Sequence, residues 1–177
     1  MLLSGLFASF LLITACTQQK ETQTNNGTEP KDASQEVLDQ LTTQPIKEFQ
    51  NTPNDAHDIQ LLDQYDQNFS ENSDALEADL KKRADEGNLT QEADLQLKRD
   101  SIASAMNMLK ELDLKTEQGR YIQGLQYQYW ENQAKVYDEK KQAPNGELKN
   151  PADAVKGMGD LLTAQQQLDH WKQKIQK

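Results

Sequence analysis

The sequence contains little proline and few β-branched residues. No proline lies between Asn54 and Ala143, and only 3 valines and 5 isoleucines follow Cys16. Proline interrupts helices and β-branched residues favour strands, so both shortages favour helices. Apolar side chains are scarce too, at 50 of the 161 residues after Cys16. About 31% is low for a globular protein, so we expect a narrow core with one apolar stripe per helix.

Residues that perform catalysis or hold metals are also rare. Histidine occurs twice, as His57 and His170. A metal pair in a helical bundle uses Glu-x-x-His, but Asn54 and Gln167 occupy the positions three residues before the histidines. The sequence has no Gly-x-Ser-x-Gly motif and no glycine-rich phosphate loop. We therefore predict no cofactor, no metal and no catalytic residue, and interpret both histidines as surface or capping residues.

Acidic residues dominate the charge. The chain has 29 aspartates and glutamates against 19 lysines and arginines, a net charge of −10. Such a surface repels phosphate backbones, which argues against a nucleic-acid partner, and it would steer a basic protein toward the domain. A carboxylate pair that cuts glycans stays open as an alternative, because counting acids does not exclude it. Most of the acids fall on polar helix faces, where solvated charges are the ordinary expectation.

The first residues form an apolar block. From Leu2 to Ile13 there is no charged side chain, and 12 residues are too few to span a bilayer. The block ends in Ile13-Thr14-Ala15-Cys16, an aliphatic residue and two small residues before a cysteine. This pattern resembles the lipobox of bacterial lipoproteins, and the resemblance covers only the first 16 residues. An ordinary signal peptide, or a buried apolar segment with an incidental cysteine, is the alternative.

The resemblance to lipoproteins implies a cellular location and a membrane anchor. Residues 1–15 would be a signal peptide that is removed, and Cys16 would become the first residue and receive the lipid, including palmitate-type chains. That thiol would then be unable to form a disulfide, bind a metal or act as a nucleophile. Thr17 stands where an aspartate often retains lipoproteins in the inner membrane. The protein is therefore expected in the cell envelope, at the outer membrane facing the periplasm or the cell surface if the source is Gram-negative.

Residues 16–53 are predicted to be a lipidated cysteine followed by a flexible polar tether. The segment from Thr17 contains too little apolar surface to offset the entropy of ordering. As a coil it would reach on the order of 35 Å, and about 120 Å when stretched. Within it, residues 34–44 predict a marginal short helix capped by Ser34 and ended by Pro45.

Residues 54–177 are predicted to form an all-α domain, an antiparallel bundle of four to five helices. We expect a helix over 54–72, a second capped by Ser73 and ended before Gly87, and a third capped by Thr90 that Gly119 ends or bends. A fourth should cover 120–142. Asn150-Pro151 should start the last, with Gly157 and Gly159 either weakening it or allowing a close helix approach.

The fourth helix has two apolar stripes, which makes it the strongest candidate for a binding surface. One stripe contains Ile122, Leu125, Tyr129 and Val136, and the other contains Tyr127, Trp130, Ala134 and Tyr137. Tyrosine and tryptophan dominate binding hot spots, so Tyr127, Trp130 and Tyr137 are the candidate partner-binding residues. The alternative is that this helix is central and both stripes face inward.

The sequence thus predicts a lipid-anchored envelope protein whose acidic helical domain binds another protein and catalyses no reaction. Adaptor, inhibitor or assembly roles would all fit. One alternative is a module that stacks the aromatic stripe on cell-wall glycans. A second alternative is an envelope hydrolase that uses an unidentified carboxylate pair.

Overall fold

Helices account for the secondary structure of the described part of the chain. The computed structural model describes residues 33–176 and contains five α-helices, α1 Ala33–Gln40, α2 Asp55–Asp85, α3 Gln91–Lys110, α4 Glu117–Gln142 and α5 Met158–Ile175. A short 3₁₀ helix, Pro151–Val155, precedes α5, and no strand is present within this range. The predicted all-α bundle is confirmed. The leader and Cys16 lie outside the described residues.

Helix α4 is the centre of the bundle and packs on α3 along one side and on α5 along another. Two core clusters result. The first joins α2, α4 and α5 through Leu62, Ile122, Leu125, Leu168 and Trp171. The second joins α2, α3 and α4 through Tyr65, Ile102, Ala105, Leu109, Trp130 and Ala134. A helix with neighbours on two sides needs two apolar stripes, which explains the pattern of α4.

Helix α2 is one continuous helix of 31 residues, so the predicted break at Ser73 is wrong. No glycine or proline interrupts the chain there, and a serine in mid-helix costs too little to end a helix that tertiary packing supports. The predicted end is confirmed. Gly87 has a φ of +70°, and the amide of Asn88 donates to the carbonyl of Arg83 at 2.8 Å. This is a Schellman cap, in which glycine adopts the left-handed conformation at low cost.

The start of α3 agrees with the prediction, but the α3–α4 boundary does not. Thr90 Oγ1 accepts a hydrogen bond from the amide of Ala93 at 3.1 Å, so this cap is confirmed. Gly119 neither ends nor bends α3, which stops at Lys110. Thr116 caps α4 instead, and its hydroxyl accepts from the amide of Gly119 at 2.8 Å. The glycine therefore lies in the first turn of α4.

The last predicted helix is divided in two. The predicted cap is confirmed, because Asn150 Oδ1 accepts from the amide of Ala152 at 3.1 Å. The chain then leaves the 3₁₀ helix, and Gly157 with a φ of +80° precedes α5. Gly159 allows close approach, the second of the two expectations. A Cβ at Gly159 would lie 3.1 Å from the carbonyl oxygen of Gln40, the last residue of α1, and 2.4 Å from that of Thr42, so the end of α1 packs against the backbone of Gly159.

The described domain begins well before residue 54. Helix α1 ends at Gln40 and contains Ser34 within it, so neither the predicted cap nor the predicted end at Pro45 is correct. Residues 42–50, which we call the strap, follow without regular secondary structure, and their backbone is hydrogen-bonded to α5. All described residues belong to one compact unit. A flexible tether as far as residue 53 is therefore wrong for residues 33–53, because polar contacts with α5 compensate for the segment's few apolar residues.

Candidate functional site

The strap lies on one face of α5. Thr163 and Gln167 are fully buried beneath it, and Thr163 Oγ1 accepts from the amide of Gln44 at 3.0 Å. The side-chain amide of Gln167 pairs with both backbone groups of Lys47. Its Oε1 accepts from the Lys47 amide at 2.9 Å, and its Nε2 donates to the Lys47 carbonyl at 2.6 Å. These bonds satisfy backbone polar groups that would otherwise be costly to place against the bundle.

The spacing of the contacts shows that strap and helix run in the same direction. Residues 163, 167, 170 and 174 fall within about 60° of one another on a helix with 3.6 residues per turn. The 11 steps from Thr163 to Lys174 span about 16.5 Å, and the 5 steps from Gln44 to Phe49 span about the same distance in an extended chain. At the carboxyl end of both segments, Lys174 Nζ donates to the carbonyl of Phe49 at 2.7 Å, as the equal lengths require.

Charged and aromatic side chains hold the carboxyl end of the strap. Glu48 lies 3.1 Å from His170 Nε2 and 3.3 Å from Lys174 Nζ, and the hydrogen bond from Lys174 is the main cause that lowers the pKa of Glu48. A shallow cavity of about 260 Å³ adjoins this group. The ring of Phe49 lies 5.5 Å from that of Tyr121, and the Lys47 ammonium lies within 5 Å of both rings.

The candidate aromatic residues are placed mainly in the core. Trp130 is 9% exposed, and its Nε1 donates to the hydroxyl of Tyr65 at 2.7 Å. Burial raises the pKa of Tyr65 above its ordinary range. Tyr127 and Tyr137 are half-buried, each with a lysine ammonium 5.1 Å from the ring centre. The inward-facing alternative therefore describes this stripe, and Trp130 does not present a face on which a glycan could stack.

A cluster of exposed acids lies between α2 and α5. We call Asp63, Asp66 and Asp169 the acidic patch. All three residues are exposed, and the charges of Asp63 and Asp169 both act on Asp66. Lys172 pairs with Asp63, which leaves an excess of negative charge on this surface. Like charges this close favour a cationic partner.

Asp66 is the most perturbed member of the patch. Although the residue is exposed, protein atoms crowd its carboxyl group, and desolvation followed by the charge of Asp63 raises its pKa to about 6. Asp66 Oδ1 accepts from Gln126 Nε2 at 3.0 Å. Gln126 itself is 2% exposed, and its Oε1 accepts no hydrogen bond from the described part of the chain. The patch therefore has three carboxylates against one paired lysine, and the carboxyl group of Asp66 is partly desolvated.

The histidines lie at the surface of the bundle. His57 is exposed, and His170 contacts Glu48 of the strap. Among residues 33–176, no three His, Cys, Asp or Glu side chains are grouped so that they could hold a metal ion. In the same range, no helix is long and apolar enough to cross a membrane. Comparison with known proteins gave no match to a family model, a curated protein or a solved structure.

Sequence reasoning missed both surfaces. Gln167 rules out a Glu-x-x-His motif at His170, but it also lies on the apolar face of α5, three residues after Ala164 and four before Trp171, so it is a polar side chain in the core. A buried glutamine requires hydrogen-bond partners, and that requirement could have indicated a docked backbone segment. The acidic patch joins residues more than 100 positions apart, so no local pattern could have found it.

Proposed function

We propose that the protein is a lipid-anchored component of the bacterial envelope whose helical domain binds a basic partner protein and catalyses no reaction. The anchor rests on Ile13-Thr14-Ala15-Cys16 after the apolar block. The outer membrane is the proposed location if the source is Gram-negative. The proposed binding surface is the acidic patch rather than the aromatic stripe.

The observation that carries the binding proposal is the repulsion of Asp66 by the charges of Asp63 and Asp169. A lysine or arginine side chain of the partner would neutralise the repulsion among the three carboxylates. Arginine fits best, since its planar group donates in two directions at once. Asp63 and Asp169 are exposed, so both residues are accessible to a partner protein.

Binding should be tested with the full chain and a defined cationic probe, a fluorescent oligo-arginine peptide. The patch variant combines Asp63→Asn, Asp66→Asn and Asp169→Asn. Loss of its charge–charge contacts should weaken binding at least 10-fold, which corresponds to about 1.4 kcal/mol. Affinity for the unsubstituted protein should fall as pH drops from 7.5 to 5, because protonation of Asp66 removes a charge that the probe needs.

The matched control removes the same charge elsewhere. Asp74, Glu77 and Glu131 are exposed on α2 and α4, and their amide variants should change affinity less than 2-fold. Equal losses in the two triple variants would show that only net charge matters, and the patch would then not be the site.

The anchor has a separate test. Mass spectrometry of the protein purified from its native membranes should find Cys16 as the first residue with acyl chains attached. An intact leader or an unmodified thiol would contradict the anchor.

A further inference from the structure

The buried polar contacts of the strap are made by its backbone, and the side chains of Lys47, Glu48 and Phe49 add contacts near its carboxyl end. The groups that Thr163, Gln167 and Lys174 contact are the amide of Gln44, both backbone groups of Lys47 and the carbonyl of Phe49. Strap side chains remain largely outside, as Ile46 with 38% exposure illustrates. Bonds of this kind are made equally well by an identical strap from another molecule.

The turn that joins the strap to α2 contains an unfavourable feature. Asp55 Oδ1 accepts from the amide of Thr52 at 3.1 Å and from its hydroxyl at 2.7 Å, which closes residues 52–55 into a tight turn. Asp55 is 5% exposed, and its second oxygen, Oδ2, is buried and accepts no hydrogen bond from residues 33–176. A buried carboxylate oxygen without a donor destabilises the closed turn. Straightening the turn would expose this oxygen to water.

We propose that the protein forms a dimer by exchange of the strap, in which α1 and residues 42–50 of one copy lie on α5 of a second copy. The turn at residues 52–55 opens into an extended hinge. Each α5 face then receives the same backbone contacts from the partner copy, so the exchange loses no interface that the monomer has. Opening of the hinge hydrates Asp55, and short hinges under strain favour such exchange.

A second copy is the occupant that the contacts specify. The segment that fits the α5 face, in length and in the positions of its donors and acceptors, is the chain's own. A two-fold arrangement uses each strap and each groove once and leaves neither unoccupied. Confinement of copies to one membrane by the proposed anchor would raise their local concentration, although the contacts themselves do not depend on that anchor.

The test uses two cysteine variants of the full chain on a Cys16→Ser background, purified in mild detergent. One chain carries Gln44→Cys and the other carries Thr163→Cys. The Gln44 amide and Thr163 Oγ1 are 3.0 Å apart, which places the two Cα atoms within about 7 Å, close to disulfide range. After mixing and mild oxidation, exchange should produce a covalent heterodimer on a non-reducing gel. Gln165→Cys replaces Thr163→Cys in the matched control, because Gln165 is exposed and lies about 200° further round α5.

A chain that carries both cysteines gives the result that would contradict strap exchange. Both cysteines in one chain should give at least some covalent dimer if the strap is exchanged, whereas quantitative closure within the monomer, with no heterodimer from the mixture, would overturn the proposal. A second variant guards against misfolding of the cysteine chains. Deletion of residues 51–53 makes the turn too short for the strap to fold back, so sedimentation should show a shift to twice the monomer mass. A folded monomer with a protease-sensitive strap would contradict the exchange.

Discussion

Asp58 allows a sharp test of how the bundle is held together. Its carboxylate is fully buried and lies beneath the start of α4. It accepts from the amide of Lys115 at 3.0 Å, and from both the amide and the hydroxyl of Thr116 at 2.7 Å. The Thr116 hydroxyl in turn accepts from the amide of Gly119. Asp58 therefore fixes the orientation of the hydroxyl group that caps α4.

Replacement of Asp58 by alanine would leave three buried or half-buried donors without their acceptor. Each unsatisfied donor costs roughly 1–3 kcal/mol, although relaxation and water recover part of the sum. The cap bond at Thr116 weakens as well, which adds on the order of 1 kcal/mol. We expect Asp58→Ala to lower the free energy of unfolding by about 3–5 kcal/mol, a large share of a typical domain's stability.

The assay is urea unfolding followed by circular dichroism at 222 nm. The midpoint should fall markedly with little change in slope, because the folded structure is the same and only its stability changes. Asp113 supplies the control. It is exposed and pairs with the neighbouring Lys115, so Asp113→Ala should change stability by less than about 1 kcal/mol.

The combination of Asp58→Ala with Thr116→Ala should be less damaging than the sum of the single changes, because each removes a partner of the other. Additive effects, or a loss below about 1 kcal/mol for Asp58→Ala alone, would refute the reasoning.

Three further outcomes follow from burial and close contacts. Trp130→Ala should destabilise the bundle by about 3–5 kcal/mol in thermal unfolding, and a fully stable variant would contradict its place in the core. Gly159→Ala should cost about 1–3 kcal/mol and expose α1 to protease, whereas Gly124→Ala, where a Cβ meets nothing within 4 Å, should stabilise α4 by about 0.5–1 kcal/mol. Equal effects of Gly159→Ala and Gly124→Ala on stability would contradict the close contact at Gly159. Carboxyl NMR should find Asp66 titrating near pH 6, above its unfolded value, so its ionisation should lower stability as pH rises from about 4 to 6, and Asp66→Asn should abolish that slope.

Local signals were sufficient where one residue decides the backbone. Thr90, Gly87 and Asn150 each mark a helix end through their own chemistry, and the structure places them as the sequence predicts. The helical class follows likewise from the scarcity of proline and β-branched residues.

Tertiary contacts decided the remainder. Ser73 resembles a cap only when its neighbours are ignored, and packing extends α2 through it. Thr116 becomes a cap because Asp58, 58 positions away, orients its hydroxyl. The strap is ordered by Thr163 and Gln167, about 120 positions along the chain. Patterns among neighbouring residues cannot predict contacts between residues so far apart in the sequence.

The contact between the end of α1 and Gly159 limits how far the domain can lie from the proposed membrane anchor. With α1 packed onto the bundle from residue 33, only residues 17–32 separate it from Cys16. The 17 steps from Cys16 to Ala33, at about 3.5 Å each, allow no more than about 60 Å. If Cys16 is embedded in a bilayer, α1 begins within that distance of the lipid headgroups. Any partner of the acidic patch must then come close to the same leaflet, and proteins that remain farther from this leaflet are excluded as partners.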